Sequence, residues 1–122
     1  MKKKTVVIID DCKLSLVIAR DIMEEAGFEV ETAESGISAN RYIYQNPSPD
    51  LILIDIIMPM LNGDRKVKLL KERASSSHIP VVIMSTQSVD KLQELKKSSG
   101  ADGYVAKPLN KGLLLEEVRR LT

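Results

Sequence analysis

Three short stretches, TVVII (Thr5–Ile9), LILID (Leu51–Asp55) and VVIM (Val81–Met84), are almost wholly apolar, and they limit the possible folds more than any other feature. A strand with one wet face alternates apolar and polar residues, whereas a strand buried on both faces does not. Such runs suit a parallel sheet covered by helices on each side. FEVET (Phe28–Thr32) does alternate, as an edge strand with one wet face would. GYVA (Gly103–Ala106) is a fifth, weaker strand candidate.

Helical spacing fills the intervals. Leu14, Val17, Ile18 and Ile22 mark a first helix, with Gly27 as its stop. Ala39, Tyr42 and Ile43 mark a second, ended before NPSP. Val67 and Leu70 mark a third, strongly basic outside (DRKVKLLKER), and Val89, Leu92 and Leu95 a fourth with a thin apolar stripe and Gly100 beyond it. Leu114, Val118 and Leu121 mark a fifth, with Asn110 as its N-cap. Met58 and Met60 read as core filling. Five strand–helix repeats predict an α/β fold: one open parallel sheet with helices on both faces, a single domain over residues 1–122.

The chain has 122 residues, of which 43% are hydrophobic and 29% charged, enough for a real core. With 18 basic and 17 acidic residues, its net charge of +1 gives no case for direct nucleic-acid binding. MKKKTVVIIDD opens like a signal peptide, but Asp10 and Asp11 cut the apolar stretch short, and no segment reaches membrane-spanning length. The single Cys12 excludes an internal disulfide and suits a reducing compartment, so the cytoplasm is expected. His78, the only histidine, falls in a loop (SSSHIP) and reads as an exposed loop residue.

In open α/β sheets the functional crevice lies at the carboxyl ends of the strands. Here those ends carry Asp10-Asp11, Asp55, Ser85-Thr86 and Lys107-Pro108. Each has a plain structural alternative: Asp11 as a helix cap, Ser85 or Thr86 as caps of the fourth helix, Lys107 as a solvated side chain. Together they describe a chemistry. Clustered carboxylates form an all-oxygen site for a hard divalent cation, Mg²⁺ before zinc. Lys107 would neutralise an incoming phosphoryl oxygen, leaving Asp55 as a carboxylate able to attack phosphorus.

The chain resembles the receiver domains of two-component response regulators. DD at Asp10–Asp11, D-x-x-M-P at Asp55–Pro59 with Gly63 following, Ser85 after the fourth strand and Y-x-x-K-P at Tyr104–Pro108 stand in the family's order. The resemblance implies a flavodoxin-like sheet of order 2-1-3-4-5, which puts FEVET at an edge. It implies Asp55 as phosphoacceptor and Asp11 as a direct Mg²⁺ ligand, with Asp10 acting mainly through water and the Ile57 backbone carbonyl as a further ligand. Mn²⁺ is expected to substitute. It also implies Ser85 and Lys107 on the phosphoryl oxygens, Tyr104 as a switch that follows Ser85, and a cis Lys107–Pro108 bond. The implied partners are a sensor histidine kinase or phosphotransfer protein, and an output domain or target on the face of the fourth helix, fifth strand and fifth helix. A phosphorylation-dependent dimer belongs to the same expectation. Two residues depart from the family pattern: Thr86 where Ala or Gly is usual, and Ile57 where a polar residue is common. Both are expected to keep water from the acyl phosphate and prolong its life.

Two other readings compete. Asp-nucleophile phosphatases share the residue types, but their D-x-D pattern places a second acid where this chain has Ile57. A degenerate receiver used only for protein interaction would lack an acid or the lysine, and none is missing. No G-x-G-x-x-G or G-x-x-x-x-G-K loop occurs. Nothing before Thr122 resembles an output domain, so a stand-alone receiver and the first domain of a longer regulator both remain open.

Overall fold

The computed structural model describes residues 3–56 and 63–122. Its five strands are β1 (Thr5–Ile9), β2 (Glu29–Ala33), β3 (Leu51–Asp55), β4 (Val81–Ser85) and β5 (Gly103–Ala106). They form one parallel sheet in the order β2-β1-β3-β4-β5. The helices are α1 (Lys13–Glu25), α2 (Asn40–Ile43), α3 (Gly63–Glu72), α4 (Val89–Ser99) and α5 (Lys111–Leu121). The expected fold is the observed one. β2 begins one residue later than the alternation suggested and runs to Ala33, and β4 includes Ser85.

The apolar runs work by splitting their side chains between two cores. Val7, Ile9, Ile52, Ile54, Val81 and Ile83 pack on one face with Ala39 and Ile43 of the α2 segment, Val67 and Leu70 of α3, and Leu92 of α4. Val6, Ile8, Leu51, Leu53, Val82 and Met84 pack on the other with α1 and α5. Each such Ile or Leu, taken fully out of water, contributes about 2 kcal/mol. No helix of the described residues is long and apolar enough to cross a membrane.

The caps follow the residue chemistry. Asn110 Oδ1 accepts the Leu113 N–H at 3.0 Å, as expected. Gly100 ends α4 at φ 85°, a left-handed conformation that costs glycine little. The Lys107–Pro108 peptide is cis, as is Asn46–Pro47. Ser88, not Ser85 or Thr86, caps α4, accepting the Lys91 N–H at 3.2 Å. Asp11 does not cap α1 either; Cys12 holds that position without a side-chain bond.

Two helix faces differ from expectation. On α1, Leu14, Val17 and Ile18 are exposed, and the helix instead buries Leu16, Ala19 and Met23. Apolar residues surround much of this helix, so spacing fits either stripe; the small Ala19 lets the backbone close on the sheet. On α3, Val67 and Leu70 are buried as expected, but Lys66 is buried with them. Lys66 lies four residues before Leu70 and so shares its inward face. On α4, Val89 is exposed and Leu92 alone of the expected stripe is fully buried, with Leu95 partly so. His78 is exposed, within 3.1 Å of Ser48 Oγ.

Candidate functional site

Parallel register aligns the strand ends. Ile9 pairs with Ile54, so Asp10 and Asp55 follow one step on, side by side. Ser85 pairs with Ala106, and the Lys107 N–H donates to the Ser85 carbonyl at 2.8 Å, bringing Lys107 to the same rim. Asp10 is fully buried, Asp55 is 9% exposed, and Asp11 is open to solvent. Carboxylate oxygens of these three residues lie within 4.8 Å of one another.

Burial of such acids demands compensation. Lys107 Nζ supplies it, 2.5 Å from Asp10 Oδ2 and 3.1 Å from Asp55 Oδ2. The second Asp10 oxygen accepts the Cys12 N–H at 3.0 Å. Burial alone would push the Lys107 ammonium down, but the hydrogen bonds and charges of Asp10 and Asp55 outweigh it and hold the group above its ordinary value. Lys107 is therefore not the solvated side chain that was one alternative.

Three carboxylates against one ammonium leave an excess of two negative charges at one oxygen-only rim. That donor set fits a hard divalent cation such as Mg²⁺. The Ile57 carbonyl, Pro59, and the Met58 and Met60 expected to fill core all lie outside the described residues.

The hydroxyl and the aromatic ring occupy the other side of the sheet ends. Ile83 pairs with Tyr104, and Ser85 follows two residues later, so Ser85 and Tyr104 share one sheet face, the one that α4 covers. Ser85 is buried, its Oγ accepting the Gln87 N–H at 3.1 Å. Tyr104 is half-buried, and its Oη accepts from Gln93 Nε2 of α4 at 3.1 Å. Thr86 is exposed beside Lys107 and Pro108.

Sequence reasoning missed Ser15. Its Oγ lies 3.3 Å from Lys107 Nζ, and it sits three residues after Cys12, on the first turn above the rim. The Ser15 backbone N–H, and then its hydroxyl, also pull the exposed Cys12 thiol below its ordinary value.

The chain matches the response regulator receiver domain family over residues 6–119. It belongs to that family. It is 30% identical over 116 residues to the polar-differentiation response regulator DivK of Brucella ovis, covering 95% of this chain and 94% of that protein. It is 33% identical over 117 residues to the chemotaxis protein CheY of Halobacterium salinarum, with 94% and 93% covered. Among solved structures, the chemotaxis response regulator CheY4 of Vibrio cholerae superposes with a TM-score of 0.87 at 27% identity, covering 99% of this chain and 100% of that one. A receiver domain protein from Clostridium thermocellum gives 0.84 at 27%, with 97% and 93% covered. The chain is thus a signalling receiver domain of the two-component type, and neither the phosphatase nor the degenerate-receiver reading is favoured.

Proposed function

We propose that this receiver domain takes a phosphoryl group onto Asp55 from the phosphohistidine of a sensor kinase or phosphotransfer protein. The observation that carries the assignment is the bridge of Lys107 Nζ between Asp10 and Asp55 inside the acidic cluster. An Asp55 carboxylate oxygen attacks phosphorus, the P–N bond breaks, and the imidazole leaves with its electron pair and takes a proton. Asp10, Asp11 and Asp55 would hold Mg²⁺, with Mn²⁺ as a substitute sharing the same ligand preference and the Ile57 carbonyl as the backbone ligand outside the described residues. Bound there, the cation would neutralise charge on the phosphoryl oxygens. Lys107 turns an N–H toward those oxygens and orients the group, so the domain assists its own phosphorylation and dephosphorylation.

Ser85 then rotates its hydroxyl from the Gln87 N–H toward the phosphoryl group. Tyr104, on the same sheet face, leaves Gln93 and turns in behind it. The surface of α4, β5 and α5 is remodelled for an output domain, a target protein or a second copy. α4 is the element that moves, because Leu92 is the one side chain of its expected stripe that is fully buried. A phosphoryl group shifts such an element only by binding one state better. The cytoplasm, where the kinase's catalytic portion works, is the compartment this role requires. Thr86 and Ile57 slow loss of the group by hindering water.

Incubation with phosphoramidate and Mg²⁺ should add one hydroxylamine-labile phosphoryl group, and Asp55→Asn should add none. Retention of that label by Asp55→Asn would put the acceptor elsewhere.

A further inference from the structure

Lys107 has three N–H bonds and three described acceptors: Asp10 Oδ2 at 2.5 Å, Asp55 Oδ2 at 3.1 Å and Ser15 Oγ at 3.3 Å. Two of these belong to groups that the reaction recruits. Asp55 commits an oxygen to phosphorus, and Asp10 is among the carboxylates that would face the cation. Ser15 is recruited by neither. It rises from α1, whose Leu16 and Ala19 are packed into the core on that side of the sheet, so its backbone is fixed. A serine oxygen carries two lone pairs, so it can accept from the ammonium whichever way its own proton turns.

We propose that Ser15 is a positioning residue: its hydroxyl is the anchor that keeps Lys107 over the rim when Asp10 and Asp55 are drawn away. The proposal rests on the phosphoacceptor reading above. A four-carbon lysine stem has many rotamers and loses entropy when held in one. Without the anchor the ammonium would spend less time facing the phosphoryl oxygens, while the acids would be untouched. The rate at saturating donor should therefore fall, and half-saturation should not.

Phosphoramidate is the probe, with Mg²⁺ present. Ser15→Ala should lower the saturated rate about fivefold, with the half-saturating donor concentration changed less than twofold. Ser15→Thr, which keeps the oxygen, should recover most of the loss. In a Lys107→Met background Ser15→Ala should have no further effect, because the residue it positions is gone. In metal-free protein, the ammonium proton signal of Lys107 should exchange with water several-fold faster in Ser15→Ala than in the parent. Equal slowing in both lysine backgrounds, or unchanged rate and exchange in Ser15→Ala, would overturn the assignment to Ser15 alone. A parent chain that takes no label, or an Asp55→Asn chain that does, would instead bring down the underlying acceptor reading.

Discussion

Lys107, just past β5, and Lys66, in the first turn of α3, each carry an ammonium out of water, one against two carboxylates and the other against an amide. Lys66 is 7% exposed, and its Nζ donates to Asn40 Oδ1 on α2. Burial, and then the positive charge of Arg73, push its ammonium below the ordinary value. Burial presses on Lys107 as well, yet Asp10 and Asp55 reverse the outcome. The difference teaches where the domain keeps net charge: at the rim the ammonium is the minority among acids and can be redirected to a new anion. At the α2–α3 seam it is a cost with no carboxylate among the described residues to offset it, and its amide partner belongs to a helix of only four residues, too short to hold its shape unaided.

The largest effect should come from removing the better-paired lysine. Lys107→Met leaves two buried carboxylates without their cation and should cost about 3 kcal/mol in metal-free protein, read from urea midpoints. Added Mg²⁺ should recover much of that loss. If Lys107→Met is as stable as the parent without metal, the bridge is not what holds the acids together.

Asn40→Ala should come next. It takes the one described acceptor from a buried ammonium and should cost about 2 kcal/mol, because bonds to charged groups exceed neutral ones. Lys66→Met should act in the opposite direction, stabilising the domain by about 1 kcal/mol, since methionine fills the site with no charge to desolvate. A destabilised Lys66→Met would mean that the seam depends on the charge itself.

The two lysines were unequally legible in the sequence. Lys107 stands in Y-x-x-K-P at a strand end, where a charge after an apolar run invites a functional reading. Lys66 sits in a run of basic residues that looked like a wet face, although its position four before Leu70 marked it as inward. The strands were plain because doubly buried runs have one explanation, and all five lie within a residue of expectation. The α1 face was not, because Leu14, Val17 and Ile18 and the buried Leu16, Ala19 and Met23 both satisfy helical spacing. The acids and Ser85 are marked by their place at strand ends, and Tyr104 only by the family motif; Ser15 lies between leucines in a helix, and only the fold brings it to Lys107.

The smallest effect is a pair of opposed slopes in alkali. Lys107 binds its proton more tightly folded than unfolded, so its contribution is complete below the ordinary 10.5 and drains away as pH rises through the higher folded value. Lys66 releases its proton more readily folded. Its penalty is therefore full below its lowered value and is relieved as pH climbs from there to 10.5, a window in which the unfolded chain binds more protons and stability rises. Urea midpoints at stepped pH separate the two. The stability gap between the parent and Lys66→Met should close on approaching pH 10.5, and the gap to Lys107→Met should begin to close only above it. Every other ionisable group is common to all three chains and drops out of the differences. Should both gaps close on the same side of 10.5, the two ammonium groups would share one environment, and the contrast between rim and seam would fail.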